Sequence, residues 1–322
     1  MTVSSDMPKP EQRQYATTRD SRETTHHQHC LQWERDGSDW PNREASRFVL
    51  AGGIRWHVQV MGQGPVLLLL HGTGAASHSW RDLAPLLAEH YTVVAPDLPG
   101  HGFTQCPVSR QLSLQGMATL LDALLLEVGM KPQWVVGHSA GAAIGAQMCL
   151  DGSVTPQWLV SLNGALLPLS GLPGQLFLPM AKFLANRPIW ARLLANSAAD
   201  SRAVHRLLDR TGSIIDKQGT EFYARLLRNT GHTGAALGMM ANWDLQPLQR
   251  RLPELQTRVL LVVGENDKMV PPAQANQICQ RLPRAKVQRF SGYGHLLHEE
   301  TPNETAASIL SLDDACEAGQ SA

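Results

Sequence analysis

The stretch that most constrains this chain is Gln133-Trp134-Val135-Val136-Gly137-His138-Ser139-Ala140-Gly141-Ala142-Ala143-Ile144-Gly145-Ala146. A short β-forming run, Trp134 to Val136, leads into Gly137-x-Ser139-x-Gly141, and a helix-forming run rich in Ala and Gly follows. This is the layout of a nucleophile elbow. The turn from strand to helix is so tight that the serine sits in a strained backbone conformation, and only small residues fit around it. The strain lifts the Ser139 hydroxyl out of the sheet. The N-terminus of the next helix then turns free N–H groups toward any oxyanion formed there. Gly and Ser are common residues, so the pattern alone is weak. The flanking strand and helix raise its weight against the alternative, a Gly-rich turn with an inert serine.

Other segments share the rhythm. Val66 to Leu70, Tyr91 to Ala95, Trp158 to Leu162, Arg258 to Val263 and Lys286 to Phe290 read as strands. The uniformly aliphatic run Val66 to Leu70, with the aliphatic run after Arg258, fits strands buried on both faces, so the expected class is α/β, with a mostly parallel central sheet flanked by helices. Phe48 to Met61 alternates around Gly52-Gly53 and reads as a β-hairpin. Ser113 caps a helix carrying Leu114, Met117, Leu121, Leu124, Leu125 and Val128, which Gly129 closes. From Ala165 to Trp243 the strand rhythm stops, and prolines 168, 173, 179 and 188 punctuate short helical pieces. The expected organisation is a disordered polar tail at 1–30, a core built from 31–164 and 244–312, a helical cap at 165–243, and a polar tail at 313–322. Within the core, Leu31 to Arg47 reads as an ordered arm, with Trp33 and Trp40 packed on the domain surface.

Composition narrows the function. Lys plus Arg and Asp plus Glu are both 28 in 322 residues, which argues against nucleic acid as a partner. The cysteines at 30, 106, 149, 279 and 316 are odd in number and scattered, so they read as free thiols in a reducing compartment. The N-terminus lacks an apolar stretch after a basic start, so no signal peptide is expected. Val66 to Leu70 is too short to cross a bilayer. A cytoplasmic, non-transmembrane protein is expected, with loose membrane association left open. His26-His27-Gln28-His29-Cys30 lies in the polar tail and reads as solvated chain, so no metal is expected, and no cofactor. Gly72-Thr73-Gly74-Ala75-Ala76-Ser77 half matches a dinucleotide loop, but the third glycine position holds Ser.

Three chemical parts occur in the order Ser139, Asp267, His295, each just past an expected strand. A serine hydroxyl is a poor nucleophile alone. His295 would take its proton during attack and pass it to the leaving group, while Asp267 would hold the ring tautomer and stabilise the imidazolium. Asp267 is preferred to Glu265 because it directly precedes the turn. His295 is preferred to His298 because Gly292-Tyr293-Gly294 gives it a flexible setting. His71-Gly72-Thr73-Gly74 follows the Val66–Leu70 strand, so the Thr73 or Gly74 N–H is one candidate oxyanion donor and the Ala140 N–H the other. His138 is read as shaping the pocket. Phe177, Met180, Trp190 and Met239 in the cap are candidate contacts for an apolar ligand, against the alternative that they only pack cap on core. Asp97 and His101 are read as turn stabilisers. His205 and His232 are read as surface or packing residues.

His71-Gly72, Asp97-x-x-Gly100-x-Gly102, Gly137-His138-Ser139-Ala140-Gly141, Gly264-x-x-Asp267 and Gly294-His295 together resemble the α/β-hydrolase superfamily, over about Phe48 to Leu310. More narrowly, four stretches resemble the magnesium-chelatase accessory hydrolase of bacteriochlorophyll synthesis: Trp33-Glu34-Arg35-Asp36-Gly37-x-Asp39-Trp40-Pro41-Asn42-Arg43, Ser46-Arg47-Phe48-Val49, Gly53-Ile54-Arg55-Trp56-His57-Val58-Gln59, and His71-Gly72-Thr73-Gly74-Ala75-Ala76-x-His78-Ser79-Trp80. That resemblance implies an anoxygenic phototroph and a role near magnesium insertion into protoporphyrin IX. A tetrapyrrole or other apolar small molecule is the implied ligand, and the chelatase subunits are the implied partners. It supplies no reaction. Three functions stay open on sequence: a serine hydrolase of an ester or related acyl bond, a non-catalytic porphyrin-binding accessory, and a general carboxylesterase without a pathway link.

Overall fold

The structure is a computed structural model and describes residues 31–168, 183–184, 187–198, 200–282 and 284–320. Its strands are β1 (Ser46–Ala51), β2 (Ile54–Met61), β3 (Val66–Leu70), β4 (Thr92–Pro96), β5 (Trp134–His138), β6 (Trp158–Leu162), β7 (Arg258–Gly264) and β8 (Lys286–Phe290). They form one sheet in the order β1-β2-β4-β3-β5-β6-β7-β8. The β1–β2 hairpin and the β2–β4 pair are antiparallel, and every pair from β4 to β8 is parallel. This is the mostly parallel sheet expected from the aliphatic runs.

The described helices are α1 (Trp33–Asp36), α2 (Leu83–Ala88), α3 (Leu114–Glu127), α4 (Ala140–Leu150), α5 (Pro188–Ser197), α6 (Ser201–Asp209), α7 (Lys217–Arg228), α8 (Thr230–Ala241), α9 (Gln246–Arg251), α10 (Gln274–Arg281), α11 (Leu297–Glu300) and α12 (Pro302–Gln320). Successive strand residues point to opposite faces, and in the central strands β3 to β7 both faces are dry. Leu68, Leu70, Val135, Leu159 and Leu261 pack in one core with residues of α3, α4, α9 and α10. Leu67, Leu69, Val136, Val160 and Val262 pack in the other with residues of α2 and α12. Ser113 caps α3 as its sequence implies, accepting a hydrogen bond from the Gly116 N–H. The last helix runs on to Gln320, through most of the segment read as a polar tail. The Gln133-Ala146 stretch forms β5, a turn and α4. A Cβ on Gly141 would lie 2.0 Å from the Leu70 carbonyl oxygen, and one on Gly145 2.8 Å from the Val135 side chain. The Ala and Gly content of α4 is therefore what lets the helix lie on β3 and β5.

The arm is more deeply placed than the sequence indicates. Trp40 is buried, its Nε1–H donates to Ser77 Oγ at 3.0 Å, and its ring lies 5.5 Å from Phe222 of α7. Arg225 of α7 forks onto both carboxylate oxygens of Asp39, at 2.6 and 2.8 Å, and donates to the Asp36 carbonyl. The arm thus joins cap to core through an aromatic wedge and a bidentate ion pair.

Gly141→Ala is expected to cost about 3 kcal/mol or more, because its methyl group must displace a strand carbonyl. Gly53→Ala, where φ is +80° and nothing lies within 4 Å, is expected to cost only about 1 kcal/mol of backbone strain. Urea unfolding of both variants checks the ordering. Equal costs would mean that the helix can simply lift off the strand.

Candidate active site

Ser139 has φ 51° and ψ −116°, a conformation that non-glycine residues rarely adopt. Its neighbours hold it there. The Ser139 N–H donates to the Leu162 carbonyl, and the Ser139 carbonyl accepts from Ala142 N–H and Ala165 N–H. A Cβ on Gly137 would lie 2.4 Å from the Ala142 nitrogen, so the turn excludes any larger residue there. Residues 134–138 are buried, whereas Ser139 is half-buried at the C-terminal end of the parallel strands. That edge is where open α/β sheets bind ligands.

Asp267 lies on the turn after β7. The N–H groups of Met269 and Val270 donate to its Oδ1 at 2.7 and 2.9 Å. Its Oδ2 lies 2.8 Å from His295 Nδ1. A carboxylate accepts, so Nδ1 carries a proton, and in the neutral ring Nε2 is then the acceptor. Both side chains are buried, which shields their contact from water. Glu265 takes no part in this contact; it accepts from Ser291 Oγ on the exposed side of the turn. His298 is fully buried and pairs through Nε2 with Ser79 Oγ at 2.7 Å. The structure therefore brings Asp267 and His295 together and sets the two rivals apart.

His138 is not on an exposed pocket wall. It is 2 % exposed, its Nε2 lies 2.9 Å from the His295 carbonyl, and its ring centroid is 4.7 Å from that of His295. It supports the loop carrying His295 from beneath. Its neutral state follows from burial first, then from the neighbouring rings of His298 and His295, which together hold its pKa well below the usual value.

The Thr73–Gly74 loop is also braced from several sides. His71 Nδ1–H donates to the Gly72 carbonyl and its Nε2 accepts from the Leu98 N–H, each at 2.8 Å. His232, read from sequence as a surface or packing residue, is buried on α8. It accepts from Gly102 N–H through Nδ1 and donates from Nε2 to the Gly74 carbonyl, both at 3.1 Å. Met239 is buried, and Thr73 Oγ1 donates to its sulfur at 3.5 Å. The N–H groups of Thr73, Gly74 and Ala140 have no hydrogen-bond partner among the described residues. Trp190 is half-buried on α5, with its ring 6.2 Å from that of Phe183. Phe177 and Met180 lie outside the described residues, as does the His26–Cys30 run. His205 is exposed on α6.

Asp97 does more than stabilise a local turn. It is fully buried and accepts from His57 Nδ1, Ser77 N–H and Phe103 N–H at 2.7 to 2.9 Å. Burial alone would raise its pKa; the His57 contact and these donors hold it well below the usual carboxylate range. It ties β2, β4 and the loop that enters the site. Nothing in the residue type at 97 distinguishes this role from a turn cap. The pairing with His57 arises from strand register, Val58 opposite Pro96, and so from the fold. Among the described residues, no group of three or more His, Cys, Asp or Glu side chains is arranged to hold a metal ion. Nor is any described helix long and apolar enough to cross a membrane.

Burial also sets the pH response. Six buried histidines (71, 78, 101, 138, 232 and 298) have lowered pKa values, with burial as the largest cause, His232 at about 4 and His298 at about 3. The unfolded chain takes up these protons near pH 6.5, while the folded rings stay neutral. Stability is thus present above about pH 6.5 and falls as pH drops toward the folded values. Asp97, with its depressed pKa, adds a loss below the ordinary Asp range. Glu299, raised by burial, acts the other way and is one group against six. Thermal melts followed by circular dichroism from pH 8 to pH 5 are expected to show Tm falling below pH 6.5. A flat Tm over that range would contradict the neutral histidine layer.

Comparison with known proteins agrees with this geometry. The profile of the alpha/beta hydrolase fold family matches residues 65–302. A magnesium-chelatase 30 kDa subunit from Rhodobacter capsulatus is 39% identical over 275 residues, covering 85% of this chain and 96% of that protein. The dihydrolipoyllysine-residue acetyltransferase component of an acetoin cleaving system from Cupriavidus necator is 31% identical over 272 residues, covering 82% of this chain and 68% of that protein. Among solved structures, an alpha/beta hydrolase fold protein from Burkholderia ambifaria superposes with a TM-score of 0.71 at 23% identity, over 83% of this chain and 97% of that one. At that identity the likeness speaks for the fold alone. The arm, the elbow, the parallel sheet and the sequence relatives lead to one assignment: this chain belongs to the α/β-hydrolase fold family and, within it, to the family of the magnesium-chelatase 30 kDa subunit.

Proposed function

We propose that this protein is a serine hydrolase of an ester or related acyl bond, acting at the magnesium-chelatase step of bacteriochlorophyll synthesis, with Ser139, His295 and Asp267 as its triad. Two observations carry the reading: the 2.8 Å contact between His295 Nδ1 and Asp267 Oδ2, and a serine at the strand-to-helix turn held at φ 51°. With its Nδ1 proton committed to Asp267, His295 accepts the Ser139 proton on Nε2 as the oxygen attacks the acyl carbon. The N–H groups of Ala140 and of Thr73 or Gly74 receive the developing oxyanion. Collapse breaks the acyl bond, and His295 passes its proton to the leaving oxygen or nitrogen. Water, deprotonated by the same ring, then releases the acid from Ser139. The apolar cap residues Trp190 and Met239, with Phe177 and Met180 from sequence, suit an apolar acyl or tetrapyrrole substrate. The chelatase subunits are the proposed partners, and the cytoplasm, with loose membrane contact, the proposed location.

A second reading is favoured by the 39% identity to a magnesium-chelatase subunit: a porphyrin-binding accessory whose triad is not used in the pathway. Two measurements separate the readings. A fluorescent phosphonate is expected to label the folded protein and not Ser139→Ala, and His295→Ala is expected to slow labelling by about a thousandfold or more. A bacteriochlorophyll-producing host lacking the gene is expected to regain pigment with the wild-type chain and not with Ser139→Ala. Full rescue by Ser139→Ala would select the accessory reading, and absence of labelling in a folded sample would remove the hydrolase.

A further inference from the structure

One residue that the triad does not use holds its two loops together. Asn163 follows β6 and has φ 44°, one of three non-glycine residues with positive φ among the described residues, the others being Asn42 and Ser139. Asn tolerates that region better than most side chains, but the conformation still stores strain, and such strain clusters at functional sites. The side chain is 3 % exposed and has its hydrogen-bonding capacity directed at backbone. Nδ2 donates to the Gly294 carbonyl at 2.7 Å and to the His295 carbonyl at 2.9 Å, while Oδ1 accepts from the Gly264 N–H at 2.7 Å. Gly264 ends the strand that leads to Asp267, and Gly294-His295 is the loop that carries the base. One amide therefore spans the roots of the acid loop and the base loop. Its own N–H is bound to the Val262 carbonyl at 2.9 Å, so the clamp stands on β7.

The two loops touch closely at this point. A Cβ on Gly264 would lie 2.5 Å from the Gly294 carbonyl oxygen. Carbonyls of Gly294 and His295 both point into the protein, away from water, and each needs a donor. Asn163 supplies one to both, and His138 Nε2 adds a second to the His295 carbonyl. Neither Ala nor a hydroxyl residue could replace the amide, because only an amide offers two N–H donors and an acceptor in one plane.

We infer that Asn163 is a positioning residue: its side-chain amide sets the spacing of the Asp267 and His295 loops, and so the His295–Asp267 hydrogen bond. This rests on the hydrolase reading only for its effect on rate; the hydrogen bond itself can be observed without catalysis. Two variants of the full-length chain test it. Asn163→Gly keeps the positive φ without strain and removes the whole clamp. Asn163→Asp keeps an acceptor for Gly264 and removes both donors. In wild type, proton NMR is expected to show a low-field resonance from the His295 Nδ1–H bound to Asp267, absent in Asp267→Ala. Both Asn163 variants are expected to lose or shift it while circular dichroism stays native. In phosphonate inactivation, the maximal rate is expected to fall about 30- to 100-fold with the half-saturating concentration within about twofold, because misplacing the base slows chemistry and leaves binding alone. A folded Asn163→Gly with an unchanged low-field proton, or with the wild-type inactivation rate, overturns the inference. If wild type is not labelled but its low-field proton is lost in the variants, the hydrolase reading fails and the clamp stands.

Discussion

At Gly141, helix α4 approaches the end of strand β3 with no room for a side chain, and the rest of the site depends on that approach. Only hydrogen at position 141 lets the Leu70 carbonyl pass. The close fit forces the chain to turn within one residue after β5, and Ser139 takes the strained conformation that this turn demands. The strain persists because the backbone on both sides is bonded, to Leu162 on one and to Ala142 and Ala165 on the other. A serine in a looser turn would gain conformational freedom and lose its fixed place at the strand ends.

Around that point the protein has built a dry polar layer in place of an apolar one. His57, His71, His78, His101, His138, His232, Asp97 and Glu299 are all buried near the strand C-termini or beneath the cap. Of these, His71, His101, His138, His232 and Asp97 direct ring nitrogens or oxygens at backbone groups of loops. Arg81 illustrates the cost. It is paired with buried Glu299 at 2.6 Å, and Tyr223 and Ser79 donate to the same carboxylate. Removing any one partner would leave an uncompensated charge or acceptor in low dielectric. Such a layer holds loops in one arrangement, which is what a site assembled from distant segments requires.

Sequence carried much of this. The uniform aliphatic runs declared strands buried on both faces, the Ala and Gly of α4 declared a close approach, and the Gly-x-Ser-x-Gly spacing declared the turn. The order Ser139, Asp267, His295 was readable because each follows a strand. Other parts were not readable. His138 was read as shaping the pocket, but nothing local showed that its Nε2 would meet the His295 carbonyl. Asn163 gave no signal beyond ending a strand. Asp97 and His232 look like an ordinary turn cap and an ordinary helix residue until the register brings partners to them. Trp40 read as a surface aromatic because nothing local shows that α7 will cover it.

What the residues determined by themselves is whatever depends on neighbours in the chain: backbone conformation at small residues, the period of burial along a strand, a cap such as Ser113, and the chemical types available. What only tertiary structure decided is which distant groups meet. Hydrogen bonds such as Asn163 to His295, His232 to Gly74 and Asp97 to His57 span many residues, and their partners are backbone atoms or rings with no local signature. A backbone carbonyl is chemically the same at every position in a sequence. Folding alone decides which of them must be satisfied away from water, and by which side chain.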